Sequence, residues 1–382
     1  MSHRGGQITR SAAHLGAARV ERPGTGERAA HGVALTSVVL CTTGAGSDLG
    51  RAVQSVLAQT YGDLELIIVD NRPATGAVRR AVGGVRDTRL RYVVEPVAGL
   101  SVARNTGIRH ARGSVVAFTD DDCVADPGWI AGIRRVLDRY PRVACVTGRT
   151  VAQGDSTDWE RLFEEFGTFD RGELPVVWRK SPTDPGLVGG TAPDDLPGAD
   201  GRQSRIYPYT GVFGSGNNMA FRSTVFDSTG AFDEALGAGT PSGGGEDLDM
   251  FIRLVLADGI VAFEPSAVIR HRHRSDAAAL RAQVRNYGSG LSAMITKQVL
   301  SDPDGCKLIV RKVVPGVRHL LSPTSKKNDR KSADYPFALT AIEWWGVLLG
   351  PWLYLRGRRA VRRRSAAGHR TAPQVTAAGR GS

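Results

Sequence analysis

An apolar run that ends abruptly in three carboxylates is the strongest constraint on how this chain folds. Val115 to Phe118 is short and continuously apolar, which is typical of a strand buried on both faces of a parallel sheet. Asp120, Asp121 and Asp122 follow directly. Ionised carboxylates side by side repel one another strongly unless a cation or solvent relieves the repulsion. The pattern therefore favours a buried α/β sheet with an acidic loop at one edge. A divalent cation is the most natural group to offset the repulsion between the carboxylates of that loop.

The position of the acidic loop after a strand indicates where a ligand binds. Open α/β sheets hold their ligands outside the carboxyl ends of the strands. A hard cation held by one or two carboxylates usually completes its shell with phosphate oxygens and water. Asp126 and Pro127 predict the N-cap and first residue of the next helix, just past this loop. The alternative interpretation is that the three acids only form a solvated turn.

Strand and helix patterns alternate on both sides of the acidic loop. This alternation predicts an α/β fold with a doubly wound, mostly parallel sheet flanked by helices. Polar residues also follow the first two predicted strands, so several strand ends carry groups able to bind a ligand. The predicted strands near the N-terminus are 36–41, 64–69, 90–94, 115–118 and 143–147.

Composition divides the chain into one large domain and basic appendages. Its 382 residues, 41% hydrophobic and 23% charged, suit a globular domain of this size with extensions. Residues 1–34 lack the apolar core of a signal peptide, and 181–205 is rich in Pro, Gly, Asp and Ser. The predicted divisions are a disordered leader (1–34), the α/β domain (35–275), a helical extension (276–314), a basic linker (315–336), an amphipathic or membrane-associated helix (337–364) and a disordered tail (365–382). Within the α/β domain they are a nucleotide-binding half (35–149), a variable insertion or lid (150–205) and an acceptor half (206–275).

The formal charge of +12 is concentrated at the two ends of the chain. Basic ends are attracted to anionic surfaces, whether nucleic acid or phospholipid. No basic face studded with aromatic residues is evident in the central part, so a nucleic-acid partner is not expected. The four cysteines lack paired metal-ligand spacing, which is typical of reduced thiols in a cytoplasmic protein.

Residues 337–355 form an aromatic-rich apolar segment interrupted by Glu343 and by Gly350 and Pro351. A cluster of arginines follows it. The segment is barely long enough to span a bilayer and carries a charge near its middle. We expect a helix lying in the membrane interface, with peripheral contact to anionic lipid at the cytoplasmic face. The alternatives are a true membrane span and docking on the protein's own core.

Short motifs between residue 36 and about 275 resemble glycosyltransferase family 2, whose members are inverting GT-A enzymes that use nucleotide-diphosphate sugars. Each motif is individually weak, but their order and spacing make the resemblance specific. The match departs at 41–44, where the family commonly has Pro-Thr-Tyr-Asn, and no part of 150–205 matches. The matching segments are 37–43, 55–61, 66–71, 99–107, 120–122 with Pro127 and Trp129, and 245–249.

The resemblance implies a site for a nucleotide-diphosphate sugar, expected to be UDP-linked, with Mg²⁺ or Mn²⁺. Asp122 is expected to bind the metal directly, and Asp120 is expected to face the ribose or a metal-bound water. His271 or His273 would approach the metal or the diphosphate. The expected nucleotide-binding positions are Thr42, Asp70, Asn71, Arg104, Asn105, Asp120 and Asp121.

The resemblance also implies the chemistry on the acceptor side. Asp247 matches the family's catalytic base, which takes the proton of an acceptor hydroxyl while the oxygen attacks the anomeric carbon. Glu246 is expected to orient the acceptor or the base. Acidic residues are also favourable at a helix N-terminus for purely structural reasons. The acceptor is expected to be a glycan or a lipid-linked precursor of the cell envelope, a hypothesis that rests on the C-terminal segment.

Two other functions compete with this interpretation. A sugar-nucleotide nucleotidyltransferase also couples a carboxylate metal site to nucleotide binding, but it needs a lysine-bearing phosphate loop after the first strand. Residues 42–50 contain no lysine or arginine. A non-catalytic nucleotide-sugar binding protein at the membrane would not need Asp122 and Asp247 together.

Overall fold

A ten-stranded sheet organises the fold of this chain. The computed structural model describes residues 35–44, 48–153, 157–167, 169–180, 188–189, 212–272, 276–301, 314–318, 320–322, 324–325 and 328–371. The predicted leader 1–34, His273, most of 181–205 and the end of the predicted tail therefore lie outside the described residues. The strands are β1 (Thr36–Thr42), β2 (Leu64–Asp70), β3 (Leu90–Val94), β4 (Val115–Asp120), β5 (Cys123–Ala125), β6 (Val143–Ala152), β7 (Val176–Lys180), β8 (Val188–Gly189), β9 (Met219–Arg222) and β10 (Ile260–His271).

Helices lie between and after these strands. A short 3₁₀ turn also follows β2. The helices are α1 (Leu49–Leu57), α2 (Ala77–Val82), α3 (Leu100–His110), α4 (Trp129–Arg139), α5 (Asp158–Gly167), α6 (Val225–Thr229), α7 (Glu246–Leu256), α8 (Ala277–Ser301) and α9 (Phe337–Thr371). The last helix therefore continues seven residues past the predicted boundary at 364.

The sheet is parallel at one side and mixed at the other. Its order is β3-β2-β1-β4-β9-β6-β10-β7-β8, with β5 paired to β10. The first four strands in this order are parallel, as the alternating sequence pattern predicts. β9 is antiparallel to both β4 and β6, so it inserts against the direction of its neighbours. The fold is thus α/β with helices on the sheet, and its second half is mixed.

Both faces of the central strands are buried, which explains their continuous apolar runs. Val38 and Leu40 of β1 belong to one hydrophobic cluster, whereas Val39 and Cys41 belong to another. Successive side chains of a strand point to opposite faces, so the two clusters cover opposite sides of the sheet. A one-sided sheet would instead show alternating apolar and polar residues.

The start of helix α4 differs from the sequence-based prediction. Helix α4 begins at Trp129 with Gly128 at the N-cap, so the predicted start at Asp126 and Pro127 is wrong by two residues. The carboxylate of Asp126 instead accepts hydrogen bonds from Arg270, 2.9 Å away on β10. The Asp126 side chain thus pairs with Arg270 and does not cap the helix.

Helices α8 and α9 pack against each other at very short range. A Cβ atom at Gly288 would lie 2.3 Å from the carbonyl oxygen of Glu343, and one at Gly346 would lie 2.3 Å from that of Arg285. Only glycine allows two helix backbones to approach so closely. Among the described residues, no helix has both the length and the hydropathy needed to cross a bilayer.

Candidate active site

The acidic loop lies where β4 ends and the short strand β5 begins. Asp120 is the last residue of β4, and the loop turns through Asp121 and Asp122 into β5. The antiparallel pairing of β5 with β10 sets Cys123 opposite His271. As a result, Nε2 of His271 lies 3.5 Å from Oδ1 of Asp122. The pairing of the two strands thus brings together Asp122 and His271, which are about 150 positions apart in the sequence.

The donor atoms of this cluster fit a divalent cation. Ligand atoms of Asp122, Cys123 and His271 all lie within 4.8 Å of one another. Burial raises the pKa of the Cys123 thiol well above its usual value, and the carboxylate of Asp122 adds to this effect, so the thiol stays protonated. Carboxylate oxygen suits Mg²⁺ and Mn²⁺ better than sulfur does. Asp122 and His271 are therefore the members of the cluster best suited to a hard cation, with the rest of the shell left to phosphate oxygens and water.

Asp120 lies between the acidic loop and a buried arginine. Its Oδ1 atom is 3.6 Å from Nη2 of Arg104. Burial raises the pKa of Asp120 to about 6; the neighbouring Arg104 opposes this shift, and the carboxylates of Asp122 and Asp121 add to it. Negative charge has accumulated here beyond what one guanidinium offsets, which is the electrostatic setting that a bound cation would stabilise.

Arg104 connects the acidic loop with the start of helix α7. Its guanidinium is 2% exposed and donates to Oε1 of Glu246 at 2.8 Å and to the carbonyl of Gly216 at 3.0 Å. The resemblance placed Arg104 near the nucleotide as a binding residue. In the structure its nearest charged partners are Glu246 and Asp120, so one side chain links the acidic loop to the acidic residues of α7.

Glu246 and Asp247 differ in their surroundings at the start of α7. Glu246 is buried, and burial together with the adjacent Asp247 charge raises its pKa to about 7, against the opposing effect of Arg104. Asp247 is only partly buried. Its Oδ2 atom accepts a hydrogen bond from the backbone N–H of Gly216 at 2.8 Å, which orients the carboxylate. Asp247 is therefore the more accessible carboxylate of the pair.

A glycine at the N-cap lets α7 start close to α8. Gly245 has φ +90°, a left-handed conformation that favours glycine, and a Cβ atom there would lie 2.4 Å from the carbonyl oxygen of Gly290. The glycine run 243–245 therefore permits a close contact that orients the first turn of α7.

Thr42 and Asp70 lie at the ends of the neighbouring strands β1 and β2. The hydroxyl of Thr42 donates to the carboxylate of Asp121, which ties the first strand end to the acidic loop. Asp70 is fully buried and accepts hydrogen bonds from the hydroxyl of Tyr92 at 2.6 Å and the backbone N–H of Arg72 at 2.9 Å. The strand register therefore brings Thr42, Asp70 and Asp121 to one edge of the sheet.

Asn71 and Asn105 use their amides within the protein. The Asn71 side chain donates to the carbonyls of Glu95 and Val97 and accepts from the N–H of Gly99. Asn105 donates to the carbonyl of Phe232 at 3.0 Å and accepts from its N–H at 2.9 Å. Both residues shape the loops around the site, and their predicted contact with the nucleotide stays a prediction.

Sequence reasoning missed two members of the site. Cys123 follows the acidic triplet directly, but its proximity to His271 comes from the β5–β10 register, which no local pattern reveals. Gly216 supplies both the N–H that binds Asp247 and the carbonyl that binds Arg104. The small residues of 214–216 are the only sequence signal for this close approach. His273 lies outside the described residues.

The family model described as glycosyl transferase family 2 matches residues 37–228, half of the chain. The chain belongs to glycosyltransferase family 2. The motifs at 37–43, 66–71, 99–107 and 120–122 lie within this match, and the resemblance drawn from them is confirmed.

Curated glycosyltransferases share moderate identity with parts of the chain. A glucosyl-dolichyl phosphate glucuronosyltransferase of Haloferax volcanii is 34% identical over 134 residues, which are 34% of this chain and 42% of the relative. A UDP-Glc:alpha-D-GlcNAc-diphosphoundecaprenol beta-1,3-glucosyltransferase of Escherichia coli is 32% identical over 98 residues, 25% of this chain and 37% of the relative. The chain thus covers less than half the length of each.

Among solved structures, the mannosyltransferase PcManGT of Pyrobaculum calidifontis, in complex with GDP-Man and Mn²⁺, is similar to this chain with a TM-score of 0.46 and 17% identity. The similarity covers 94% of this chain and 80% of that one.

Proposed function

We propose that this protein is a metal-dependent inverting glycosyltransferase that moves a sugar from a nucleotide-diphosphate sugar, UDP-linked, to a hydroxyl acceptor. The observation that carries the proposal is the position of Arg104. It lies 3.6 Å from Asp120 of the acidic loop and 2.8 Å from Glu246 beside Asp247. Two acidic segments that are distant in sequence thus border one site. A transfer reaction requires this arrangement, because the donor and the acceptor must bind next to each other.

The donor side of the proposed site is the strand-end cluster of Thr42, Asp70, Asp120, Asp121 and Asp122. Carboxylates at these positions accept hydrogen bonds from a pyrimidine N–H or from ribose hydroxyls. Asp122 and His271 would hold a Mg²⁺ or Mn²⁺ ion, which supplies positive charge to the departing diphosphate.

The acceptor side of the proposed site is the first turn of α7. Asp247 would accept the proton of the acceptor hydroxyl as its oxygen attacks the anomeric carbon from the face opposite the leaving group, which inverts the configuration. The hydrogen bond from Gly216 holds the Asp247 carboxylate in position for this transfer. Glu246 pairs with Arg104 and positions the base through the backbone of α7.

We further propose that the acceptor is lipid-linked and that α9 holds the protein at the cytoplasmic face of an anionic membrane. The names of two relatives include dolichyl phosphate and diphosphoundecaprenol. Helix α9 exposes an apolar stripe at helical spacing, and arginines follow it. This combination is typical of a helix that lies in a membrane interface. The apolar stripe consists of Phe337, Trp345, Leu348, Trp352 and Leu355, which are 69%, 58%, 72%, 56% and 39% exposed.

Substitution of Asp247 and Asp122 tests the catalytic proposal. Purified protein would be incubated with a panel of nucleotide sugars, with Mn²⁺ or with chelator, and release of nucleoside diphosphate measured. We expect release with one donor and metal, and a loss of about 10²–10⁴-fold in turnover for Asp247→Asn because the general base is removed. Asp122→Asn should raise the Mn²⁺ concentration needed for half-maximal rate.

The control for both variants is Asp63→Asn, which neutralises an exposed carboxylate in the turn before β2. Full turnover by Asp247→Asn would disprove the mechanism. Release of inorganic pyrophosphate from a sugar phosphate and a nucleoside triphosphate would favour the nucleotidyltransferase. Nucleotide binding without diphosphate release from any donor would favour the non-catalytic binding protein.

A further inference from the structure

A glycine-rich loop leads directly into the helix that carries the candidate base. We name residues 233–245 the base loop; it ends at Gly245, the N-cap of α7. Four of its glycines have left-handed φ angles, between +73° and +102°. Glycine reaches such angles as readily as others, so a chain rich in glycine has no strong shape of its own. Contacts from neighbouring elements must therefore fix the conformation of the base loop.

Helices α3 and α8 each hold a part of the base loop. The hydroxyl of Ser101 on α3 donates to the carbonyl of Leu236 at 2.8 Å. The hydroxyl of Ser289 on α8 donates to the carbonyl of Ser242 at 2.7 Å. The first residues of the loop, 233–235, lie against α9.

Tyr354 of α9 binds the start of the base loop through Asp233. Tyr354 is 4% exposed, and its hydroxyl donates to Oδ2 of Asp233 at 3.0 Å. The other carboxylate oxygen of Asp233 accepts the backbone N–H of Ala235 at 2.9 Å. Hydrogen bonds to an ionised acceptor are about twice as strong as neutral ones. One carboxylate therefore joins α9 firmly to the first turn of the loop.

Gly357 lets α9 approach the same turn closely. A Cβ atom at Gly357 would lie 2.9 Å from the carbonyl oxygen of Ala235. Residues three positions apart lie on one face of a helix, so Tyr354 and Gly357 face the loop together. Arg364 pairs with Glu234 at 2.8 Å two turns further along, but this pair is partly exposed and contributes little.

Backbone contacts connect the turn held by α9 with the candidate base. The N–H of Gly237 donates to the carbonyl of Gly244 at 3.2 Å, which joins the first part of the loop to the residue before the N-cap of α7. A Cβ atom at Gly237 would lie 3.2 Å from Oε2 of Glu246, so the loop also lies against the first turn of α7. Asp247 follows, and its carboxylate accepts the N–H of Gly216 at 2.8 Å. A shift in the first turn of the base loop would therefore move Asp247 relative to Gly216.

We infer that Tyr354 is a positioning residue for the candidate base. Through Asp233 it holds the base loop in the conformation that places the Asp247 carboxylate against the N–H of Gly216. The inference rests on the proposed function, because only there does Asp247 act as a base. Helix α9 thus contributes to catalysis through its buried face, apart from any contact with lipid.

Two measurements on the full chain test the inference. The first is release of UDP from UDP-glucose, UDP-galactose and UDP-N-acetylglucosamine in the presence of Mn²⁺. The second is the hydrogen-exchange rate of the Gly216 amide, which reports on the Asp247 carboxylate whether or not the protein turns over. A purely structural role of Tyr354 would change the melting temperature but not the exchange of the Gly216 amide.

The variants remove either partner of the hydrogen bond between α9 and the base loop. Tyr354→Phe removes only the hydroxyl, Asp233→Ala removes the acceptor, and a double variant combines the two. The matched control is Tyr335→Phe. The Tyr335 hydroxyl is also buried, but it has no hydrogen-bond partner among the residues that the structure describes.

We expect kcat for UDP release to fall about tenfold in Tyr354→Phe, because a displaced base accepts the proton poorly. KM for the UDP-sugar should stay within about twofold of wild type, since the donor side of the site is unchanged. Exchange of the Gly216 amide should become about fivefold faster or more. In the Asp233→Ala background, Tyr354→Phe should cause no further loss. Tyr335→Phe should match wild type in both measurements.

An unchanged Gly216 exchange rate in Tyr354→Phe would overturn the inference, even if the melting temperature fell. An unchanged kcat would do the same. Additive losses in the double variant would also overturn it, because Tyr354 would then not act through Asp233. Failure of the proposed function is a different result, in which wild type releases no UDP from any of these donors with Mn²⁺. The Gly216 exchange rate would still decide whether Tyr354 holds the Asp247 carboxylate in place.

Discussion

Arg104 is the residue on which the geometry of the candidate site most depends. It is buried to 2% exposure and is surrounded by Glu246, Asp120, the carbonyl of Gly216 and the rings of Phe118 and Phe232. A buried cation of this kind persists only because anionic and carbonyl partners offset its loss of hydration. Arginine, with five donors in a plane, can serve several partners at once, which lysine cannot.

The raised pKa of Glu246 predicts how stability depends on pH. Its pKa rises from 4.5 to about 7, so the folded state holds the proton more tightly than the unfolded state. The stabilisation is full below about pH 4.5 and is lost as pH rises through about 7, on the order of 3 kcal/mol in total. Glu246→Gln cannot ionise and should not lose this contribution.

Urea unfolding of wild type and Glu246→Gln at pH 5 and pH 8 measures this difference. The variant should gain a few kcal/mol relative to wild type at the higher pH. An equal change in unfolding free energy for both proteins between these pH values would show that Glu246 keeps an ordinary pKa.

At the scale of elements, helix α9 has two opposite roles. One side packs closely against α8, with Leu339, Glu343 and Tyr354 buried. The other side exposes the apolar stripe that we propose for membrane contact. From the sequence, docking on the protein's own core and lying on a membrane were alternatives. The two are compatible, because one face of the helix can pack on α8 while the opposite face stays exposed to lipid.

Close packing of α8 and α9 predicts a strong effect of a single methyl group. Gly346→Ala would place its Cβ 2.3 Å from the Arg285 carbonyl, so the helices must separate. We expect a loss of about 1–3 kcal/mol in unfolding free energy. The control Gly50→Ala lies in open space on α1 and should be neutral or stabilising by about 0.5–1 kcal/mol. If both substitutions have the same effect, the close approach of the two helices is not present in solution.

The apolar stripe of α9 predicts lipid-dependent binding. Combined Trp345→Ser, Leu348→Ser and Trp352→Ser should lower the fraction of protein that sediments with phosphatidylglycerol-containing vesicles by about tenfold or more. The control pair Trp159→Ser and Leu174→Ser removes exposed apolar side chains elsewhere and should bind like wild type. Salt should weaken binding by wild type, because the arginines act through charge. Equal sedimentation by the triple variant would show that α9 does not contact lipid.

At the scale of the whole molecule, the C-terminal helices share the core of the family 2 domain. Ala293 and Met294 of α8 and Tyr354 of α9 belong to the same hydrophobic cluster as Met250 and Phe251 of α7. Asp249 of α7 is fully buried, with Nζ of Lys297 at 2.7 Å and Nε of Arg253 at 2.8 Å. The candidate catalytic helix is therefore held from the side that the sequence suggested was an appendage.

This shared core predicts that the α/β domain does not fold alone. A chain of residues 35–275 would expose the α7 side of the core to water and leave Asp249 without Lys297, one of its two basic partners. We expect it to aggregate or to unfold without a cooperative transition in thermal denaturation, whereas residues 35–371 should unfold cooperatively. A cooperative transition at the wild-type temperature for 35–275 would show that α8 and α9 are dispensable.

The sequence by itself determined the first half of the sheet and the identity of the family. The strands at 36–42, 64–70 and 115–120 are visible because buried parallel strands are continuous apolar runs. The partly exposed edge strand at 90–94 is visible as a short run rich in β-branched and aromatic residues, and each of these patterns is local. The acidic triplet and the Glu246–Asp247 pair are also visible in the sequence, because each motif consists of adjacent residues.

Only the tertiary structure decided how these local groups meet. His271 reaches Asp122 through the β5–β10 register, Arg104 of α3 reaches Glu246 of α7 on one face of the sheet, and Arg171 shares a cleft with Arg330. The insertion of β9 against its neighbours and the packing of α8 on α7 were likewise not predicted. Such contacts depend on strand order and on shape complementarity between distant segments, and neither leaves a periodic pattern in the chain.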